Sequence, residues 1–514
     1  VAGVGYDSRS MVYPGLEPRK TIGKTTERKL LSMSDDLQGH QMSTHNNSLA
    51  NLVRGVGERV LYTDDKYTLP IQARPGVFLR KLGDYRTKIV RHVGWQSPVS
   101  RQSFAELYKG PRYILYNRAV QSLAVRPVTR SDARLKTFVK AEKTNLTLKP
   151  DPVPRVIQPR DPRYNVEVGR FLKPIEHKMY DAIDSLFGGP TIFSAYNAYE
   201  QARLIREKWD SYAHPVCVGL DAKRFDQHVS KQALEFEHSF YRLIFGRSEL
   251  TQLLDWQVHN RGVARARDGW FSYQKTGGRA SGDMNTSLGN KLLMCLMCKS
   301  YMDAKPFGIS LVNNGDDCLL ILDRTNLDRL GDLDQWFGEF GFKLTMETPV
   351  VNFEHIEFCQ TSPVYSNGVW RMVRQARTCM LKDTTVVNLG HREDEYRHRL
   401  WYVGSSGLAT CADVPVLGAF YRMLKRFGVG NETYMNYDKY DYYSVSSRGA
   451  ASVSDRPDDD GRVSYWIQTG ISPDTQIMLE DYFDSSAWAS DKRQLIDNPQ
   501  NLIAQLLDSR HDEI

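Results

Sequence analysis

Ser310-Leu311-Val312-Asn313-Asn314-Gly315-Asp316-Asp317-Cys318-Leu319-Leu320-Ile321 is the stretch on which the reading of this chain turns. Its apolar runs, Ser310 to Val312 and Leu319 to Ile321, read as two short strands. The polar residues between them read as a tight turn, because Asn-Gly tolerates positive φ at both positions and is the strongest two-residue hairpin signal. Such a turn sets Asp316 and Asp317 side by side. Adjacent carboxylates repel unless a cation lies between them, and their hard oxygens suit Mg²⁺ or Mn²⁺. An isolated Gly-Asp-Asp is also an ordinary turn, so the metal reading depends on partners elsewhere in the chain.

A chain of 514 residues can bury a large core and is expected to hold several subdomains. Hydrophobic residues at 41% and charged residues at 25% are ordinary globular usage, which argues against a disordered or fibrous chain. No uninterrupted apolar run reaches the length of a membrane span, so any membrane attachment is expected from elsewhere. Val1 is not a methionine and no signal-peptide pattern follows it, so the chain reads as a processed product or the downstream part of a longer translation product. The net charge of +7 is unevenly spread: residues 451–514 carry 13 Asp/Glu against 5 Lys/Arg, a net −8, which leaves +15 on residues 1–450. The basic part is the expected polyanion surface. Seven cysteines, all between Cys217 and Cys411, form no disulfide framework and suit a reducing compartment. Cys295-x-x-Cys298 lies in the apolar run Leu292 to Cys298 with no second ligand pair nearby, and reads as helix core rather than zinc site.

Residues 1–60 are polar, carry basic pairs and lack sustained periodicity, which predicts an extended arm. Gly23-Lys24-Thr25 is not a phosphate loop, because Pro18 stands where the first glycine is required. Helical text from Phe104 to Leu123 gives way to a Pro/Lys/Arg-rich stretch, and between Arg130 and Arg163 there are 9 Lys/Arg against 4 Asp/Glu. Val216 to Asp221 reads as a strand ending on a carboxylate, followed by a helix from about Ser230 to Phe245. The Gly277-Gly278 turn precedes a second helix from about Gly282 to Met302, and an amphipathic helix is expected from about Leu327 to Phe340. Helices are also expected over 393–402 and 414–427, with Tyr434 to Tyr443 and the loop Asp458 to Gly461 interrupting them. There are no internal repeats.

Asp221-Ala222-Lys223-Arg224-Phe225-Asp226 ends the first strand, and Asp221 can face the hairpin's pair if the two strands are neighbours in one antiparallel sheet. Three converging carboxylates suit two metal ions, which activate an attacking hydroxyl and stabilise a leaving oxygen during in-line displacement at phosphorus. Phosphoryl transfer asks the protein chiefly for position and charge neutralisation.

Asp221-x4-Asp226, Ser281-Gly282-x3-Thr286-x3-Asn290 and Gly315-Asp316-Asp317, in that order and spacing, resemble the palm motifs of viral RNA-dependent RNA polymerases. Phe340-Gly341-Phe342-Lys343 and Phe358-Cys359-Gln360 are similar to the two motifs that follow. Upstream, Lys140-Ala141-Glu142-Lys143 and Pro154-Arg155-Val156-Ile157-Gln158-Pro159-Arg160 resemble the basic fingers motif. The wording Asn-Asn-Gly-Asp-Asp-Cys and Phe-Cys-Gln resembles carmoviruses and their relatives in the tombusvirus family of plant RNA viruses. The resemblance spans about residues 100–365.

This resemblance implies roles that the side chains can fill. Asp221, Asp316 and Asp317 would ligate two Mg²⁺ or Mn²⁺ ions, Asp317 as third ligand or as support for the pair. Asp226 and Asn290 would bond one another and the incoming ribose, so that a missing 2′-hydroxyl leaves polar groups unpaired. Ser281 and Thr286 are expected at the start of the second helix, within reach of ribose or template, although Ser281 also reads as a helix cap. Gly282 would let the loop move. Lys140, Arg155 and Arg160 would neutralise the triphosphate, and Lys343 would protonate the leaving pyrophosphate or simply edge a strand. Trp95 to Ser100 lies where the family places a template-entry contact, and Tyr434 to Tyr443 offers either a stacking platform or packed aromatics.

The implied fold is α+β, a closed right hand with an antiparallel palm sheet and a helical thumb. Its expected divisions are N-terminal arm and fingers 1–204, palm 205–238, fingers insert 239–278, palm 279–365, and thumb with acidic tail 366–514. The implied activity is template-directed RNA synthesis from ribonucleoside triphosphates, initiating de novo, on template and nascent RNA of a positive-strand genome. The implied setting is a membrane-associated replication complex in the host cytoplasm, reached through an upstream segment or through viral and host proteins. A reverse transcriptase and a catalytically inactive RNA-binding subunit are the rival readings. The acidic tail could lie on a positive RNA channel and restrain unproductive binding.

Overall fold

The computed structural model of this chain describes residues 2–32, 40–387, 393–430, 449 and 451–487. At its centre is a four-stranded antiparallel sheet in the order Ile309–Asn314, Asp317–Asp323, Pro215–Ala222, Leu344–Met346. The two middle strands read as unbroken apolar runs because both sheet faces are covered. Val216, Val218 and Leu220, with Leu320 and Leu322, face a core shared with helices Pro162–Phe187 and Thr286–Asp303. Cys217, Leu319 and Ile321 face helix Ala198–Asp210 together with Phe353, Ile356 and Phe358. Helix Thr286–Asp303 is apolar on nearly every side, and Cys295 and Cys298 are buried in it as free thiols.

A second sheet has the order Arg19–Lys20, Gly269–Thr276, His259–Ala266, Leu135–Val139, Val156–Ile157 and is antiparallel apart from the pairing of Leu135–Val139 with His259–Ala266. Its buried face packs on helix Leu49–Val56 through Val139, Ala264, Phe271 and Tyr273. The extended arm expected for residues 1–60 is therefore only half correct. Ser48 caps that helix by accepting from the Asn51 N–H, and its Leu52, Val53 and Val56 are buried. The helix is too short to show a period in the sequence, so the core it joins, rather than its own pattern, stabilises it.

Three expected helices are cut by local chemistry. Between Arg101–Glu106 and Gly110–Val125 the Gly110-Pro111 pair ends one helix and starts the next, since proline fits only the first turn. The helix expected over 327–340 is a 3₁₀ segment, Arg324–Leu330, then Leu333–Glu339, and Asp332 between them accepts from Tyr301 Oη at 2.6 Å and Lys305 Nζ at 2.8 Å. The second long helix begins at Thr286 rather than at 282.

The C-terminal part has its own core, in which hairpin Thr361–Ser366/Val369–Arg374 and helices Glu393–Cys411, Leu417–Phe427, Asp459–Thr469 and Pro473–Ser485 meet. Asp458 to Gly461 is not a loop: Asp458 accepts from Gly461 N–H at 2.8 Å and starts a helix whose first turn holds Asp459 and Asp460, where acids interact favourably with the positive end of the helix dipole. Glu480 pairs with Arg462 and Asp484 with Arg422, so these two acids of the expected tail brace this unit. Residues 434–443 and 488–514 lie outside the described residues. Strand Thr385–Val387 pairs with Lys29–Ser32, which ties the N-terminal segment to the C-terminal unit. Among the described residues no helix is long and apolar enough to cross a membrane.

Arg371 and Asp413 form an ion pair with both side chains inaccessible to solvent, and Arg371 Nη2 also donates to the Ser366 carbonyl at 2.9 Å. Asp413→Ala strands a buried cation, so urea unfolding followed by tryptophan fluorescence is expected to show a loss of about 3–5 kcal/mol.

Candidate active site

The acidic hairpin closes through a two-residue connection. Asn314 opposes Asp317, leaving Gly315 and Asp316 at the bend, with Gly315 at φ +84° and Asp316 outside the positive-φ region. That is the turn with glycine in its first central position, one residue later than the Asn-Gly pair expected. No atom lies within 4 Å of where a Gly315 Cβ would sit, so backbone conformation, not space, requires the glycine. Buried Asn313 holds the bend, donating from Nδ2 to the Gly315 carbonyl at 2.7 Å and accepting from Gly315 N–H at 3.1 Å.

Asp317 stands directly opposite Asp221 in the neighbouring strand, so both carboxylates rise from one face at one end of the sheet, with Asp316 beside them at the turn. The apolar cover of that face ends before this tip, and all three aspartates are exposed. Glu347 and Glu357, which sequence reasoning missed, join them. A Cβ at Gly219 would collide with the Glu347 carboxylate, so the glycine makes room for it. Although Asp317 reaches solvent, the surrounding walls exclude much of the water. That burial, followed by the charges of Asp316, Glu347 and Asp221, pushes its pKa up, against a hydrogen bond from Cys359. Burial also raises Glu347 and Glu357, Glu347 next by the charges of Glu357 and Asp221, and Glu357 by that of Asp317. Among the described residues none of these five acids has an ion-pair partner.

An all-oxygen donor set under mutual repulsion fits a hard divalent cation. Among the described residues no three acidic, histidine or cysteine side chains form a ready-made cage.

Behind the tip, a buried network fixes a second polar pair. Asn290 Nδ2 donates to Asp226 Oδ1 at 2.7 Å, and Asn290 Oδ1 accepts from Arg279 Nε at 2.9 Å, which sets the amide's orientation. Arg279 pairs with Glu237, both side chains being inaccessible, and Glu237 also accepts from Asn285 Nδ2 at 2.7 Å and Tyr241 Oη at 2.8 Å. A Cβ at Gly289 would strike both Arg279 and Glu237. Arg279, Glu237 and Asn285 carry no motif signal that would have singled them out. Burial raises the Asp226 pKa, opposed by the Asn290 hydrogen bond and the Arg279 charge.

The remaining expected residues divide. Arg160 is a correction: its side chain is fully buried, paired with Asp283, and donates to Asn260 Oδ1 at 2.7 Å and the Ala133 carbonyl at 2.6 Å, so it braces the fold and does not face a triphosphate. Ser281 is exposed and lies ahead of the helix rather than capping it, its Oγ accepting from Gln158 N–H at 3.2 Å. Thr286 opens the helix, but its hydroxyl donates to the Ala280 carbonyl at 2.8 Å. Gly282 packs where a Cβ would strike Pro159 and the Gln158 carbonyl, so it serves close approach rather than movement. Lys140 and Arg155 are neighbours that share Glu142, at 2.9 and 3.0 Å, and the Arg155 charge reaches Asp226. Lys343 is exposed, next to strand Leu344–Met346, and its carbonyl accepts from Lys223 N–H at 3.0 Å. Phe342 stacks on Phe225 with centroids 4.7 Å apart, which locks this segment to the Asp226 turn. Cys359, at φ +51°, brings its thiol to Asn314 Nδ2 at 3.4 Å and beside Asp317. Trp95 packs over Gly246 and is 65% exposed, and its contacts do not link it to the acidic tip. Arg59, missed by sequence reasoning, lines a small cavity with Asp226, Lys275 and Arg279, and burial with the charges of Arg224 and Arg155 pulls its pKa down to about 10.

The sheet end thus sets aspartates beside an Asp226-Asn290 pair held by a buried network, and comparisons with known proteins identify the family. A family model described as viral RNA dependent RNA polymerase matches residues 16–491. This chain belongs to that family. It is similar to the RNA-directed RNA polymerase of Pothos latent virus (isolate Pigeonpea/India), 44% identical over 472 residues that cover 91% of this chain and 63% of that protein. Similarity to the RNA-directed RNA polymerase of Turnip crinkle virus is 43% over 491 residues, 94% of this chain and 62% of that protein. For that of Tomato bushy stunt virus (strain Cherry) it is 41% over 480 residues, 91% and 57%. The chain thus spans 57 to 63% of the length of these three relatives.

Because the native pKa of Asp226 is raised, the native state holds a proton that the unfolded chain has already released, and stability falls as pH rises from the ordinary aspartate range through the native value. Asp226→Asn is expected to melt higher than the parent at neutral pH, with the gap closing below the ordinary aspartate range in a series of Tm against pH.

Proposed function

We propose that this chain is the catalytic part of an RNA-directed RNA polymerase of a positive-strand plant virus, in which the 3′-hydroxyl of a growing strand displaces pyrophosphate from a ribonucleoside triphosphate. The observation that carries this reading is the register that sets Asp221 opposite Asp317 with Asp316 at the adjoining bend. Asp221, Asp316 and Asp317 would hold two Mg²⁺ or Mn²⁺ ions, which when bound activate the attacking oxygen and neutralise the leaving one. Asp226 Oδ2 accepts no hydrogen bond among the described residues and would take one from a ribose 2′-hydroxyl, with Asn290 bonded to the other oxygen. A deoxyribonucleotide would leave that oxygen unpaired. Arg155 and Lys140 would exchange Glu142 for triphosphate oxygens, Ser281 would offer its hydroxyl to ribose or template, and Lys343 would hold the proton for the departing pyrophosphate.

In this reading the central sheet with its helices is the palm, the five-stranded sheet belongs to the fingers, and the C-terminal unit is the thumb. The division placed after residue 238 cuts helix Lys231–Phe245, whose apolar side lies in the core of the central sheet, so the first palm segment extends to Gly246. The arm strand Lys29–Ser32, paired with Thr385–Val387, would close the hand. De novo initiation, template and nascent RNA as ligands, and work with viral and host proteins at membrane-associated complexes in the host cytoplasm belong to the same proposal.

In a primer-independent assay on short RNA, Asp316→Ala is expected to cut Mg²⁺-dependent nucleotide incorporation by about a thousandfold or more while RNA binding persists. Unchanged incorporation would remove the reading. Asn290→Ala is expected to lower the preference for ribonucleotides over deoxyribonucleotides by about a hundredfold, and a parent enzyme that prefers deoxyribonucleotides would overturn the roles of Asp226 and Asn290.

A further inference from the structure

Between Asp221 and Asp226 the backbone passes through a conformation that its own residues do not favour. Arg224 sits at φ +51° and ψ 50°, in the left-handed region where glycine is the unstrained choice. There the chain turns from strand Pro215–Ala222 into the four-residue helix Phe225–His228. The Arg224 carbonyl is the hub of the turn, accepting from Gln227 N–H at 3.0 Å, His228 N–H at 3.3 Å and His228 Nδ1 at 3.1 Å. An arginine at a position that suits glycine points to a use for its side chain.

The side chain reaches the N-terminal segment. Arg224 Nη1 donates to the Glu58 carbonyl and, at 2.5 Å, to the Thr63 carbonyl, while Gln227 Nε2 donates to the Tyr62 carbonyl at 2.5 Å. Helix Leu49–Val56 runs on there as a π-helical turn, Gly57–Leu61, before the chain extends at Tyr62. That turn pairs Tyr62 N–H with the Gly57 carbonyl at 2.8 Å, but Thr63 N–H, the next donor in line, goes to the Thr68 carbonyl at 2.8 Å. The Glu58 carbonyl is thereby left for Arg224, at the negative end of a helix, where a guanidinium is favoured. The segment is itself held, because the buried Glu58 carboxylate accepts from Tyr13 Oη at 2.7 Å and Arg54 Nε at 3.2 Å.

We propose that Arg224 is a positioning residue for ribose selection, latching the turn between the two aspartates to residues 58–63. The inference rests on the assignment of Asp226 and Asn290 to the ribose. Asp221 is fixed by its place in the sheet, opposite Asp317 on one side and Thr345 on the other. Asp226 has no such ladder. It lies in the four-residue helix that the latch orients, bonded through Oδ1 to Asn290. Phe225, stacked on Phe342, anchors that helix to the segment before strand Leu344–Met346, and Arg224 with Gln227 anchors it to the N-terminal segment. Loss of the latch therefore displaces the sugar contact and leaves Asp221 and Asp317 in register.

The test compares Arg224→Gly and Arg224→Lys with the parent chain in primer-independent RNA synthesis, with ribonucleotide and deoxyribonucleotide titrated separately. Glycine keeps the left-handed turn and removes the latch, whereas lysine keeps the charge and loses the planar fork. Both are expected to raise KM for the ribonucleotide and to lower the preference for it by about tenfold, with kcat within about threefold, the pattern of a displaced binding contact. In an Asn290→Ala background the same changes are expected to lower that preference no further, because both act on one contact. A glycine variant with the parent's KM and sugar preference overturns the inference, since the backbone alone would then matter. So does a loss that adds in full to that of Asn290→Ala. Should the glycine variant melt below the assay temperature, the lysine variant decides by the same two readings. A parent that incorporates no nucleotide, or whose incorporation survives Asp316→Ala, removes the polymerase reading and this inference with it, and an active parent with insensitive Arg224 variants removes this inference alone.

Discussion

The antiparallel register between Pro215–Ala222 and Asp317–Asp323 is the constraint on which the rest depends. A slip of one residue would turn Asp221 from the open tip into the helix-covered core and reverse every apolar side chain on that strand. The register is held because both faces are buried, with Val218 and Leu220 on one side and Cys217 on the other. Hydrophobic packing in the body of the sheet thus forces like charges together at its end. Burial first, and that crowding after it, raise the pKa values of Asp317, Glu347 and Glu357.

Around this tip the protein spends buried polar groups on position. Glu237, Arg279, Asn290 and Asp226 form a chain in which each member fixes the next, so the final carboxylate is aimed by a buried network. Arg160 and Asp283 do similar work for the loop that carries Ser281. A basic motif in such a protein therefore contains two kinds of arginine: those like Arg160 that are consumed by the fold, and those like Arg155 that stay at the surface. Their sequence neighbourhoods look alike and both have a carboxylate partner, Glu142 for Arg155 and Asp283 for Arg160, so burial is what separates them.

The motifs owe their spacing to contacts as well as to chemistry. Gly219 admits the Glu347 carboxylate, Gly289 admits Arg279, and Gly282 admits the Pro159 backbone, each glycine marking a place where another element comes too close for a Cβ. Phe342 on Phe225 and Cys359 against Asp317 show how the segments after the hairpin fasten back onto it.

The sequence by itself determined the hairpin, the strand ending at Asp221, the helices that follow them and the grouping of the three aspartates, because these rest on local period, turn chemistry and motif order. It also supplied the family. Tertiary structure alone decided that Glu347 and Glu357 join the acids, that Arg160 is internal, that Leu49–Val56 is a core helix and that the residues from Asp458 to 487 brace a helical unit. Each of those outcomes depends on which distant group arrives beside a residue. A charge whose partner lies more than a hundred residues away, as Asp283 does from Arg160, leaves no local pattern to read.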